Sequence, residues 1–151
     1  MGQFENLKTK ILYLFFQLFF VFGYSQQYSR QEKQLLSQAN KLDSLMQNND
    51  SKILDFFEKD VSFGHSNGWI QNLDDFKKDF SSKKVVYKEI KQTGVSEIKK
   101  FKNTFSVRRK IKVTGFYKSE LFEMNLSLLE IWIKNKFQWK LWSRQSVEIK
   151  L

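Results

Sequence analysis

Val61-Ser62-Phe63-Gly64-His65-Ser66-Asn67-Gly68-Trp69-Ile70 contains a short strand, an Asn-Gly turn and a return. Asn-Gly between apolar flanks is a strong local hairpin signal, because both residues tolerate the positive φ that a tight turn demands. The chain's only histidine, His65, sits where the strand ends. An imidazole that titrates near neutral pH beside a turn is suited to the mouth of a pocket. Trp139-Lys140-Leu141 and Arg144-Gln145-Ser146 close the chain with a second short alternating segment.

Upstream of the hairpin the apolar period is helical. Ser29-Arg30-Gln31-Glu32 is a capping box, and Leu35, Leu36, Ala39, Leu42, Leu45 and Met46 follow at helical spacing. This predicts an amphipathic helix of about five turns, ending near Asn48-Asn49. Asp50 or Ser51 caps a shorter second helix carrying Ile53, Leu54 and Phe57. Downstream, Asn72 caps a third helix with Leu73, Phe76 and Phe80 on one face. Asp74 and Asp75 lie in its first turn, where the helix dipole favours them.

From Lys83 onward the period falls to two. Val85 to Ile98 reads as a long, irregular strand. In Asn103 to Thr114, Phe105, Val107, Arg109, Ile111 and Val113 share one face. Phe122, Met124, Leu126, Leu128, Glu130 and Trp132 form the next such set, and Trp139, Leu141, Ser143, Gln145, Val147 and Ile149 the last. Helices around one short strand, followed by a meander of long strands, make an α+β chain with helices on one side of a curved antiparallel sheet.

A two-residue loop at Lys118-Ser119 pairs Tyr117 with Glu120, so paired numbers sum to 237 and the apolar sets fall on a common face. Arg109, Glu130, Ser143 and Gln145 are polar exceptions on that face, and a buried charge needs a partner. In this register Arg109 and Glu130 are diagonal neighbours. They read either as a structural ion pair or as the lining of a cavity under the helices, with His65, Asn67, Trp69, Trp132, Ser143 and Gln145 completing it. The opposite face carries Leu129, Ile131, Ile133 and Trp142, an apolar patch suited to homodimerisation.

The chain has 151 residues and a formal charge of +10. Lys8 and Lys10 precede an apolar run from Ile11 to Phe22, and small residues follow at Gly23 and Ser25. This is the layout of a secretory signal over residues 1–25, leaving one domain over 26–151 that is exported to the periplasm or beyond. The run is too short for a membrane span of about 20 residues. Export and the dispersal of lysines along strands argue against nucleic acid. Acidic glycans, membrane surfaces or anionic metabolites suit the charge better. There is no cysteine, hence no disulfide and no thiolate metal site, and aromatics at 17% must supply stability by packing. No phosphate loop, serine-nucleophile elbow or metal-spaced cluster occurs, and no cofactor or metal is expected.

The element order, with His65-Ser66-Asn67-Gly68, Ile131-Trp132-Ile133-Lys134, Trp139-Lys140-Leu141 and Arg144-Gln145-Ser146, resembles the nuclear-transport-factor-2-like superfamily. The likeness extends over about Ser29 to Leu151 and is greatest to its SnoaL-like branch of bacterial domains of unknown function. The resemblance implies a cone-shaped half-barrel, its curved sheet wrapped around three N-terminal helices and enclosing a central pocket. Relatives include ketosteroid isomerases, polyketide cyclases, dehydratases and epoxide hydrolases, which work by acid–base chemistry in the pocket, alongside non-catalytic binding and association domains. In the last hairpin, where a glycine is frequent, this chain has Phe137. It has no isomerase-like pairing of tyrosine and aspartate. Three functions follow: a pocket for a small, partly apolar ligand, an acid–base enzyme using His65, or a homodimeric interaction module.

Overall fold

The computed structural model describes residues 27–150; the secretory signal expected over 1–25 lies outside the described residues. Helix α1 spans Arg30–Gln47 and buries Leu35, Ala39, Leu42 and Asp43. The expected second helix is a 3₁₀ helix, Ser51–Phe56, whose cap Asp50 accepts a hydrogen bond from the Lys52 amide. At six residues it is longer than most 3₁₀ runs, which seldom exceed about four.

Strand β1, Phe57–Gly64, runs into the Asn-Gly turn and returns as β2, Ile70–Gln71. The turn is set by the Trp69 amide donating to Asn67 Oδ1 at 3.0 Å, by the His65 amide donating to the Trp69 carbonyl at 2.8 Å, and by Gly68 at φ 85°. Helix α2, Leu73–Ser81, is capped by Asn72 Oδ1, which accepts from the amides of Asp74 and Asp75 at 2.9 Å each. Four long strands complete the chain: β3 Val85–Phe101, β4 Thr104–Tyr117, β5 Glu120–Asn135 and β6 Gln138–Glu148.

The sheet order is β2-β1-β6-β5-β4-β3. Every neighbouring pair is antiparallel except β1 and β6, which run parallel, so the sheet is mixed where the sequence suggested antiparallel throughout. A parallel pair needs a long crossover, and here the whole meander separates the two strands. Register shifts at Tyr87/Glu89, Gln92/Gly94 and Val95/Glu97 bend β3. Such bulges sharpen local twist and suit a sheet curled over its helices.

The β4–β5 register is the expected one: Tyr117 opposes Glu120, Arg109 opposes Leu128, and Val107 opposes Glu130. In β6 the expectation holds only as far as Leu141, which opposes Trp132. The next pair is Ile131 with Ser143, so Trp142 is an extra residue on a bulge. From there the alternation inverts. Ser143 and Gln145, expected to project inward, lie on the outer face, and Arg144 and Ser146 take the inner one. Leu129, Ile131 and Ile133 are half-buried on the outer face, and exposed Trp142 donates from Nε1 to Asp60 Oδ2 at 3.0 Å.

Among the described residues the interior holds two apolar clusters. The larger joins Leu35, Ala39 and Leu42 of α1 to Phe105, Val107, Trp132, Trp139 and Leu141, with Phe57, Phe63 and Phe76 meeting at ring-centroid distances of 5.0–5.1 Å. Burying such side chains contributes about 2 kcal/mol each. The smaller gathers Tyr87, Ile90, Phe122, Met124 and Leu126 around Ile111, Val113 and Leu128. Among the described residues no helix is long and apolar enough to cross a membrane.

Candidate functional site

Four charges meet between α1 and the inner face of the sheet, three from the strands and one from the helix. Arg109 on β4 and Glu130 on β5 are fully buried. Arg109 Nε and Nη2 donate to the two Glu130 oxygens at 3.0 and 2.9 Å. The other edge of the guanidinium meets Asp43 of α1, Nη2 donating to Oδ1 at 2.8 Å and Nη1 to Oδ2. A planar guanidinium serves two carboxylates at once in a way an ammonium cannot. Trp132 Nε1 donates to Glu130 Oε2 at 3.1 Å.

Arg144, turned inward by the β6 bulge, is the fourth member. Its Nη2 lies 2.7 Å from Glu130 Oε1 and 3.8 Å from Asp43 Oδ1. The contact is one of charge and not of hydrogen-bond geometry, because Nε and Nη2 of Arg144 are buried with no hydrogen-bond acceptor among the described residues. Two cations and two anions leave the quartet neutral overall. Burial alone would weaken both ionised partners of the central pair, lowering the Arg109 pKa and raising that of Glu130. The facing charges outweigh it. Glu130 and Asp43 hold Arg109 above its usual range, and Arg109 with Arg144 holds Glu130 down at about 2.

Beside the quartet lies a cavity of about 350 Å³. Its body is apolar, walled by the smaller cluster with Phe63 and Phe76. Its polar members include Asp43, His65, Gln71, Tyr87, Arg144 and Ser146. Desolvation raises the Tyr87 phenol above its ordinary pKa, with Arg144 opposing and Asp43 reinforcing the shift. A mostly apolar hollow of this size with a few convergent polar groups is the usual form of a small-molecule site.

His65 stands at the end of a hydrogen-bonded chain. Its Nε2 is 3.2 Å from Gln71 Oε1, Gln71 Nε2 donates to Asp79 Oδ2 at 3.1 Å, and Lys84 Nζ donates to both Asp79 oxygens at 3.2 and 3.1 Å. The carboxylate can only accept, so it takes the Gln71 amide's donor, and Gln71 Oε1 must accept from His65. The neutral imidazole therefore carries its proton on Nε2 and its lone pair on Nδ1. Trp69 stacks on the ring at 4.7 Å.

Of the residues expected from sequence to bind a ligand, His65 lines the cavity. Arg109, Glu130 and Trp132 lie buried behind its polar end, one layer removed from the space itself. Asn67 and Trp69 are exposed on the turn, the first shaping it and the second backing His65. Ser143 is bonded across the outer face to Ser62 Oγ at 3.2 Å, and Gln145 lies over Gly64, donating to the His65 carbonyl at 3.4 Å. Asp43, Gln71, Tyr87 and Arg144 were not expected. Asp43 had a legible sign: it follows Ala39 by four residues and so falls on the apolar stripe of α1.

No protein-family model matches the chain, and no curated protein sequence matches it. Solved structures do. A nuclear-transport-factor-2-like protein from Cytophaga hutchinsonii is similar at a TM-score of 0.73 and 20% identity, over 81% of this chain and 100% of that one. A protein of the same fold from Rhodospirillum rubrum, of unknown function in nutrient uptake, is similar at 0.72 and 17% identity, over 77% and 98%. A candidate scytalone dehydratase from Novosphingobium aromaticivorans is similar at 0.70 and 12% identity, over 80% and 85%. Identities this low speak to architecture alone. On the architecture the bulged sheet, its helical layer and these likenesses agree: the chain has the nuclear-transport-factor-2-like fold.

Proposed function

We propose that the cavity binds a small, largely apolar molecule through one hydrogen-bond-accepting group presented to Arg144. One observation carries this reading: two guanidinium nitrogens of Arg144 are buried without an acceptor, in the wall of a hollow that is otherwise mostly apolar. Leaving buried donors unmade costs about 1–3 kcal/mol, and a small turn of the Arg144 side chain toward a ligand oxygen in the hollow would recover part of it. The acceptor class follows from charge. The quartet is already balanced, and Asp43 lines the same cavity, so a carboxylate would face a carboxylate. An uncharged carbonyl meets the Arg144 donors without that repulsion.

The test is a melting-temperature series with apolar ketones and amides against hydrocarbons of equal size. Binding at a hundredfold excess over Kd stabilises by about 2.7 kcal/mol. Carbonyl compounds should raise the melting temperature, hydrocarbons much less, and Arg144→Lys should cut the carbonyl affinity about tenfold. If hydrocarbons stabilise as well as carbonyls, or Arg144→Lys binds as the parent does, the reading fails.

A second reading is supported by the His65 chain. A fixed tautomer with a free Nδ1, in the same cavity as a carbonyl held by Arg144, suits removal of a proton next to that carbonyl. Turnover of a bound ketone, by hydrogen–deuterium exchange at its α-carbon, should then vanish in His65→Asn while binding persists. Exchange at the parent rate in that variant excludes His65 as the base.

A further inference from the structure

Far from the cavity mouth, two hairpin tips stand side by side. The β3–β4 tip is Phe101-Lys102-Asn103, and the β5–β6 tip is Asn135-Lys136-Phe137. They share one end of the sheet, since Thr104 pairs with Ile133 and the Lys134 amide donates to the Asn103 carbonyl at 2.8 Å. Each tip projects a phenylalanine into solvent: Phe101 is 72% and Phe137 96% exposed. Neither turn requires one. The positive φ values that close the turns belong to Lys102 and Lys136, so a polar residue would serve at 137. Single exposed apolar residues are ordinary; two rings at the apices of adjacent tips are a different case.

The charge around them is mostly positive. Lys99, Lys100, Lys102, Lys134 and Lys136 lie within three residues of the rings in sequence. Among the described residues, Lys99 alone of these has a carboxylate partner, Glu97, which Arg108 also contacts. The remaining acid beside the tips is Glu58, which accepts from Asn135 Nδ2 at 3.1 Å. Lys102 lies over the Phe101 ring at 5.3 Å and Lys134 over Trp139 at 5.7 Å, so both ammonium groups stay near the apex.

We propose that this end of the sheet docks on an anionic lipid surface, with Phe101 and Phe137 entering the headgroup layer and the lysines remaining among its phosphates. Phenylalanine side chains bury at the boundary between headgroups and acyl chains, and each lysine near it strengthens attachment about fivefold. Two convex tips suit a yielding phase. A folded partner would need two matched pockets, and a soluble polyanion would use the lysines and ignore the rings.

The chain lacks cysteine, so one introduced thiol can carry an environment-sensitive fluorophore on the full chain. A label at Gln138→Cys, beside Phe137, should brighten at least twofold and shift to the blue with vesicles containing phosphatidylglycerol. It should respond to neither phosphatidylcholine vesicles nor dextran sulfate. A label at Ser119→Cys, in the turn at the other end of the sheet, should not change. Phe101→Ser with Phe137→Ser should abolish the response; both sites are in solvent, and Phe137→Ser alone makes the same comparison if the pair disturbs folding. Silence at position 138, an equal change at 119, an equal response to neutral vesicles or dextran sulfate, or a response that survives loss of both rings overturns the proposal.

Discussion

At Glu130 burial and pairing pull in opposite directions, and pairing wins. The carboxyl drops from its ordinary 4.5 to about 2, so its stabilising share is complete above pH 4.5 and is lost as pH falls through 2. At about 1.4 kcal/mol per pH unit, that share is about 3 kcal/mol. Glu130→Gln should therefore lose about 3–5 kcal/mol at pH 7, because it leaves Arg109 short of a counter-charge. Its urea midpoint should also fall less than the parent's between pH 4.5 and 2. Parallel acid limbs in the two proteins would assign the loss to other carboxyls. The Arg109–Glu130 pair was legible in the sequence, because a two-residue loop fixed the sum 237 and set the two residues diagonally. The rest of the quartet was not. Asp43 reaches it from a helix 66 residues before Arg109, and spacing does not encode which helical residue will face which strand.

Among the elements, β6 shows where parity reasoning stops. Trp139 and Leu141 fell on the face the alternation required, but one extra residue at Trp142 moved every later side chain to the other face. The alternation had a flaw visible beforehand: after Leu141 the expected inward set became the polar Ser143 and Gln145, where the other strands place mostly apolar side chains. Two glycines give the element scale a measurable contrast. A Cβ at Gly115 would lie 2.3 Å from the Val86 carbonyl oxygen, which is backbone and cannot swing aside. Gly115→Ala should cost about 2 kcal/mol or more in urea unfolding. At Gly64 the clash is with the amide end of Gln145, a flexible exposed side chain, and Gly64→Ala should cost under about 1 kcal/mol. Equal costs would mean that β3 and β4 can part as readily as a side chain can turn.

On the scale of the whole molecule, the α+β layout followed from periodicity alone, whereas the hollow did not, because a void has no residues of its own. Leu126 stands half-buried on the wall of that hollow. Leu126→Trp should fill the space, abolish any ligand-dependent rise in melting temperature and leave the parent's unliganded stability within about 1.5 kcal/mol. A ligand shift that persists would place binding elsewhere. The seam between the first and last strands has a kinetic consequence. Ser62 meets Ser143 across 81 residues, while β3 to β6 are joined by tight hairpins, so the meander can assemble before β1 has anything to join. Among the described residues the sheet continues beyond β1 only as the two residues of β2. Amide hydrogens of β1 should accordingly exchange with deuterated water well before those of β4 and β5. His65 follows directly on β1, so the stretch that peels first would also be the door through which a guest reaches Arg144.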